Sequence, residues 1–355
     1  MKKILVAGQV CLDVTPVFNK ELSGTSPANL FMPGQLIMVD SSIFCGGGCV
    51  SNTGLTMKKL GADITVFGKI GDDAFGHALK DLFSAYDVHG LMTDINSKTS
   101  YSFAIAVPGS DRIFLHDSGA NRSFVSSDIS DDILEEADFF HFGYPCLMRS
   151  MFLDSGRELV SLFKRVKEKN IITSLDFATI LPESEAGKTD WLIILKRVLP
   201  YVDYFVPSFE ELCFMIDRAK YNAMFELKGD KSSNISLETD AKPLAETVLG
   251  MGTKHVLIKC GEAGLYYRDE ENEIIQPCFV PTEVKSAAGA GDACIGAFLT
   301  ALMMGKSIRE CVKYGAAEGA CCVEEYDSLS GIKTLDQIDD RIAHGWKTKN
   351  EATEI

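Results

Sequence analysis

Residues 286–292 read Ser286-Ala287-Ala288-Gly289-Ala290-Gly291-Asp292 and run directly into the apolar stretch Ala293–Met304, which Gly305 can terminate. Small residues ahead of a helix let the backbone approach a ligand closely. The helix N-terminus then offers N–H groups and positive dipole to an anion. Asp292 is expected at that N-terminus, where its carboxylate can take the proton of a hydroxyl attacking a phosphate. An ordinary N-cap aspartate after a glycine turn fits the same residues. Around this segment, short apolar runs at Ile4–Ala7, Ile64–Gly68, Phe139–Phe142, Ile171–Asp176, Tyr204–Pro207, His255–Lys259 and Gly264–Tyr267 alternate with amphipathic stretches. The latter include Ser51–Leu60, Ala74–Ala85, Met151–Lys169 and Ala241–Met251. Such alternation predicts an α/β fold, a mostly parallel sheet with helices on both faces and ligands beyond the carboxyl ends of its strands.

A second small-residue segment, Gly46-Gly47-Gly48-Cys49-Val50-Ser51-Asn52, opens another expected helix and is followed by Gly61 and by Gly71-Asp72-Asp73-Ala74-Phe75-Gly76. Its glycines can admit a ligand near the backbone, and Asn52 can donate to or accept from a hydroxyl. Alone, it is equally a turn and a cap. Two look-alikes are set aside. Gly305-Lys306-Ser307 has the close of a phosphate-binding loop, but Thr300 stands where the loop's first glycine is needed, and the triplet follows a helix rather than opening one. Gly289-Ala290-Gly291 does not extend to G-x-G-x-x-G, because Cys294 holds the last place.

The 355 residues are 46% hydrophobic and carry a formal net charge of −15. That length supports a sizeable core. So acidic a surface argues against nucleic acid and anionic membranes as partners. No run approaches the ~20 apolar residues of a membrane span, and the basic-then-apolar start at Met1–Gly8 reads as a buried first strand rather than a signal peptide. Eleven scattered cysteines, with no C-x-x-C pair, read as reduced thiols of a cytoplasmic protein. Cys45 and Cys49 have no nearby histidine to complete a metal set.

Two stretches break the alternation. Thr15–Cys45 carries Pro16, Pro27, Pro33 and Gly34, and Ser100–His116 holds two strand-like runs around Pro108-Gly109-Ser110-Asp111. Both are expected as β structure outside the main sheet, serving as a lid, a dimer surface or both. Lys228–Asp240 is polar and reads as a mobile loop. No internal repeat or independent second domain is evident.

Together, these segments resemble the two signatures of the PfkB, or ribokinase-like, carbohydrate kinases, in order and over about residues 3–330. The first is similar to G-G-x-x-x-N, with Asn52, Gly61 and Gly71 at its spacing, and the second to D-T-x-G-A-G-D. Cys11-Leu12-Asp13 resembles N-x-D, Gly71–Gly76 matches G-D-D-x-F-G, Pro207-Ser208-Phe209-Glu210-Glu211 resembles N-x-x-E, and Lys259-Cys260-Gly261-Glu262-Ala263-Gly264 resembles a nucleotide-binding turn. The resemblance implies a Rossmann-like core with a small β lid. Residues 1–340 would form one kinase domain, with the lid at about 13–45 and 97–120 and a tail at 341–355. It implies transfer of the ATP γ-phosphate to a hydroxyl, often a hydroxymethyl group, of a sugar-like substrate. Asp292 would be the base, and the amides of Gly289, Ala290 and Gly291 the anion hole. Asp13, Gly47, Gly48 and Asn52 would hold substrate; Ser208, Lys259, Gly261 and Gly264 would hold nucleotide; Glu211 would order Mg²⁺ water. A monovalent cation such as K⁺ and a homodimer through the lid are further implications.

The departures are specific. Ser286 and Ala287 replace Asp-Thr, which bears on the cation; Ser208 replaces Asn, Cys11 replaces Asn, and Val50 is larger than usual. None touches Asp292 or the G-A-G amides, and catalysis depends chiefly on positioning and charge stabilisation. A nucleoside kinase is the second reading, with Leu30, Phe31, Met32, Leu36 and Met38 of the lid available to cover a base or simply to pack. A non-catalytic sugar sensor on the same fold is the third. Lys98, Arg112 and Arg122 could meet a substrate phosphate or remain solvated lid charges.

Overall fold

The computed structural model describes residues 2–19, 27–105, 107, 113–226 and 235–353. The turn expected at Pro108–Asp111, Arg112 and most of the loop expected at Lys228–Asp240 lie outside those residues. The described residues form fourteen strands. They are β1 (Lys3–Gly8), β2 (Cys11–Val17), β3 (Ser41–Gly47), β4 (Asp63–Phe67), β5 (Lys69–Gly71), β6 (Met92–Asp94), β7 (Tyr101–Ile105), β8 (Ile113–Asp117), β9 (Phe139–Gly143), β10 (Ile172–Asp176), β11 (Tyr204–Phe205), β12 (His255–Lys259), β13 (Leu265–Arg268) and β14 (Glu273–Gln276). Eight of them build the main sheet in the order β14-β13-β12-β11-β10-β9-β1-β4. From β12 to β4 every pairing is parallel, and β13 and β14 add an antiparallel edge.

The parallel strands read as continuous apolar runs because both of their faces are covered. Alternate residues of β1 divide between two cores, as the period of two requires. Leu5 and Ala7 pack with Phe140, Phe142 and Leu175 under helices α3 (Arg149–Glu168, broken at Leu153–Gly156), α4 (Trp191–Val198), α5 (Phe209–Ile216) and α6 (Lys242–Leu249). Ile4 and Val6 pack on the other face under α1 (Gly48–Lys59), α2 (Ala74–Ala85), α7 (Ala290–Met303), α8 (Ile308–Cys322) and α9 (Leu335–Ala343). The chain enters the main sheet at β1, adds the edge strand β4 on one side and later β9 on the other, so the strand order switches there. Such a switch is where doubly wound sheets place a site. The carboxyl ends of β1, β9, β10, β11 and β12 accordingly deliver Gly8, Tyr144, Asp176, Ser208 and Lys259 to one edge.

The two stretches that break the alternation form the expected additional β structure. β2 leaves the main sheet and pairs with β3 and β7, giving a four-stranded sheet of order β3-β2-β7-β8. The loop expected up to Asp240 already turns helical over Leu237–Ala241, leading into α6. Residues placed in a C-terminal tail pack against the chain: Lys347 and Lys349 exchange backbone hydrogen bonds with Val280 and Cys278, and the Trp346 indole donates to the Val280 carbonyl at 2.7 Å.

Glu318 of α8 is fully buried. Its Oε1 accepts from the Lys333 amide at 2.8 Å, and its Oε2 has no partner among the described residues. Burial lifts its pKa from 4.5 to about 8. Between those values the folded chain keeps a proton that the unfolded chain has released, so Glu318 makes stability fall as pH rises through that window. Glu318→Gln can keep the Lys333 bond and cannot titrate. Urea denaturation from pH ~4.5 to ~8 should show a shallower decline for the variant than for the wild type; parallel declines would contradict this assignment.

Candidate active site

The site begins with two glycine-led helices. Gly48 has φ +81° and Gly289 has φ +79°, left-handed values that disfavour a side chain. At Gly48 a Cβ would also strike the Gln9 side chain, and at Gly289 it would strike Ser328. These turns start α1 three residues before the expected Ser51 and α7 three residues before the expected Ala293. Asn52 and Asp292 therefore both lie in or just after a first helical turn. The helices then cross closely, because a Cβ at Gly296 would come within 2.6 Å of Thr56 Cγ2. One turn back from that crossing, the side chains meet.

Asp292 is the focus. It is 4% exposed and accepts three hydrogen bonds. Thr53 Oγ1 donates to Oδ1 at 2.8 Å, Asn52 Nδ2 donates to Oδ2 at 3.1 Å, and Tyr144 OH donates to Oδ2 at 2.7 Å. Ser328 Oγ donates to Asn52 Oδ1 at 2.8 Å and fixes that amide. Asn52, expected to hold substrate, is thus also a support of the carboxylate. Sequence reasoning passed over Thr53, Tyr144 and Ser328. Tyr144 follows β9 in the left-handed conformation, φ 66° and ψ 41°, an uncommon state for a bulky residue. Burial raises its pKa well above the ordinary value, and the nearby Asp292 and Asp176 raise it further, so it is a phenol and a donor.

Asp13 stands at the root of the small sheet. Its carboxylate lies against Gly47, where a Cβ would collide with it, and Cys11 Sγ donates to its Oδ1 at 3.3 Å. Burial raises the Asp13 pKa against the pull of Cys11 and Ser102. Ser102 in turn contacts His116 Nδ1 at 3.0 Å. Beneath α7, Lys259 Nζ donates to Asp176 Oδ1 at 2.7 Å. The lysine side chain passes the N-terminal turn of the helix, within 3.6–3.8 Å of where a Gly291 Cβ would stand. Burial disfavours the Lys259 charge, yet Asp176, Glu211 and Asp292 outweigh it and raise its pKa.

Ser208 and Glu211 form a reciprocal cap of α5, with Ser208 N donating to Glu211 Oε2 at 2.7 Å and Glu211 N donating to Ser208 Oγ at 3.2 Å. The serine that replaces asparagine is thereby a working N-cap. Gly261 and Gly264 turn the chain between β12 and β13 with φ +55° and +110°. They make no hydrogen bond to Asp292 among the described residues. Beside this turn, Lys349 pairs with Glu262 at 2.5 Å, and Trp346 packs on Phe279 with ring centroids 4.6 Å apart. A cavity of about 640 Å³ lined by Glu246, His255 and Arg268 lies at the opposite end of β12 and contains none of the site residues. Among the described residues, no group of three or more His, Cys, Asp or Glu could hold a metal, and no helix is long and apolar enough to cross a membrane.

A family model for "pfkB family carbohydrate kinase" matches residues 3–335. The chain belongs to the pfkB family. As a member it is a carbohydrate kinase, and its relatives are consistent in kind. Fructokinase-2 of Oryza sativa subsp. japonica is 25% identical over 81% of this chain and 82% of its own length. The 5-dehydro-2-deoxygluconokinase of Bacillus licheniformis is 22% identical over 96% and 95%. In structure, the fructokinase of Xylella fastidiosa solved with bound ATP superposes with a TM-score of 0.75, covering 97% of this chain and 99% of that one at 19% identity. This pfkB kinase therefore has the ribokinase-like fold expected from its two signatures.

Tyr144→Phe removes one of three donors from the buried Asp292 carboxylate while keeping the ring. Loss of such a charge-assisted bond should destabilise the fold by about 1–3 kcal/mol, read as a lower urea midpoint with unchanged slope. An unchanged midpoint would mean the phenol does not support Asp292.

Proposed function

We propose that this protein is an ATP- and Mg²⁺-dependent kinase that phosphorylates a hydroxyl, preferably a hydroxymethyl group, of a sugar or sugar-like polyol, with Asp292 as general base. The observation that carries this reading is the Asp292 carboxylate in the first turn of α7, held by Thr53, Asn52 and Tyr144. It stands beside the Gly289–Gly291 amides, which suit a phosphate oxygen. In the reaction the substrate oxygen bonds to the γ-phosphorus of ATP, the bond from that phosphorus to its bridging oxygen breaks, and ADP leaves with the electron pair. The hydroxyl proton passes to Asp292.

The other roles follow from the chemistry of the side chains. Asp13 and the remaining amide proton of Asn52 suit a polyol, with Gly47 and Gly48 leaving room for it. Gly261 and Gly264 let the backbone approach the nucleotide. Glu211, a buried carboxylate near Lys259 and Asp176, fits a hard, water-retaining cation such as Mg²⁺. The small sheet acts as a lid, and its apolar residues Phe44, Ile113 and Leu115, 56%, 43% and 55% exposed, suit cover by a second copy in a homodimer. The eleven cysteines, all free, suit a reducing cytoplasm. A nucleoside is the second reading, favoured by Leu36 and Met38, 87% and 73% exposed in the lid segment.

ADP release with Mg-ATP should be measured across ketoses, aldoses, polyols, acid sugars and nucleosides, starting with fructose and 5-dehydro-2-deoxygluconate, the substrates named in relatives. At least one sugar-like substrate should be turned over, and Asp292→Asn should lower kcat by about a hundredfold or more while still binding nucleotide. Turnover of nucleosides alone would replace the sugar reading. Wild-type activity equal to that of Asp292→Asn would remove Asp292 from the base role.

A further inference from the structure

Lys259 is the last residue of β12, on the same face as Leu257, and its side chain runs under α7. The side chain is 11% exposed and that of Asp176 is 1% exposed. A buried ion pair of this kind is not required for stability, since well-packed apolar residues often serve as well. Nor is this pair saturated. Asp176 Oδ2 is buried without a partner among the described residues, and the only acceptor found there for the three ammonium protons of Lys259 is Asp176 Oδ1. Donors are therefore left over, and the ammonium is placed where they would be useful. It lies beside Gly291, near enough to Asp176, Glu211 and Asp292 for their carboxylates to raise its proton affinity. Without a cation at that point, three carboxylates would face an incoming polyphosphate.

We propose that Lys259 is a catalytic residue that donates to the phosphoryl group being transferred, with Asp176 as the positioning residue that holds its ammonium under the N-terminus of α7. The inference rests on the kinase reading and adds a fixed side-chain cation to it. As the bond to the bridging oxygen breaks and the new oxygen–phosphorus bond forms, charge on the transferred group is met by an ammonium already in place, with no reorganisation. Lys259 remains protonated throughout; the substrate proton goes to Asp292.

The test uses the full chain with Lys259→Met, Lys259→Ala and the double variant Lys259→Met/Asp176→Leu, which replaces the pair with apolar side chains. Calorimetry of ADP and of the non-hydrolysable analogue AMP-PNP separates contact with the terminal phosphoryl group from contact with the rest of the nucleotide. Lys259→Met should bind ADP within about threefold of wild type and AMP-PNP about tenfold more weakly, with kcat down about a hundredfold and the sugar KM little changed. Ethylammonium should restore at least about tenfold of the lost kcat to Lys259→Ala, an effect that a merely structural lysine would not give. If Lys259→Met does not fold, the double variant carries the same kcat and AMP-PNP expectations. ADP binding retained with kcat and AMP-PNP affinity at wild-type values, in either variant, would overturn the inference alone. A wild type that binds neither nucleotide would overturn the kinase reading and the inference with it.

Discussion

The approach of α1 to α7 at Thr56 and Gly296 is the constraint on which the site depends. A side chain at Gly296 would meet Thr56 and force the helices apart. With glycine there, side chains one turn earlier on each helix come within hydrogen-bond reach, and Thr53 and Asn52 converge on Asp292. The carboxylate is thus held by packing between two helices rather than by a flexible loop. Fixed geometry of this kind suits the base role proposed for Asp292, because small displacements of a reacting group are expensive in rate. Ser328 extends the arrangement by locking the Asn52 amide from the segment after α8.

Much of this was legible in the chain. The strands were visible because each is covered on both faces and so reads as an unbroken apolar run, β1 and β12 most plainly. The two breaks in the alternation marked the small sheet for the same reason in reverse. Glycine positions located both helix starts, though not their first residues: the left-handed turns at Gly48 and Gly289 allow helices to begin earlier than hydrophobic periodicity suggests. The edge hairpin was harder. β14 was not among the expected strands, because only a short charged run separates it from β13; Asp269 Oδ1 accepts from the Glu271 and Asn272 amides and closes a tight turn between the two.

Tyr144, Asp176 and Ser328 were not legible as site residues. Tyr144 sits in Phe139-Phe140-His141-Phe142-Gly143-Tyr144, where nothing local separates it from the core aromatics before it. It reaches Asp292 only because β9 lies next to β1, so that the carboxyl ends of both strands open on the same crevice. Asp176 likewise becomes the partner of Lys259 through a sheet order that no short segment reveals. The net charge of −15 argues against long polyanions as partners without describing the site, where the Lys259 ammonium is paired with Asp176 and feels the carboxylates of Glu211 and Asp292.

The chain's two tryptophans fall in different layers. Trp191 is 2% exposed in the core behind Asp176, its ring edge-on to Phe177 at 5.3 Å. Trp346 is half-buried over the segment around Val280, packed on Phe279 with the Arg341 guanidinium 3.9 Å from its ring centre. The two indoles therefore give intrinsic fluorescence two separable components. The emission of buried Trp191 should follow the integrity of the core, and that of half-buried Trp346 should follow the edge beside Gly261 and Gly264. An unlabelled sample thus carries its own pair of optical probes, one for the scaffold and one for the rim.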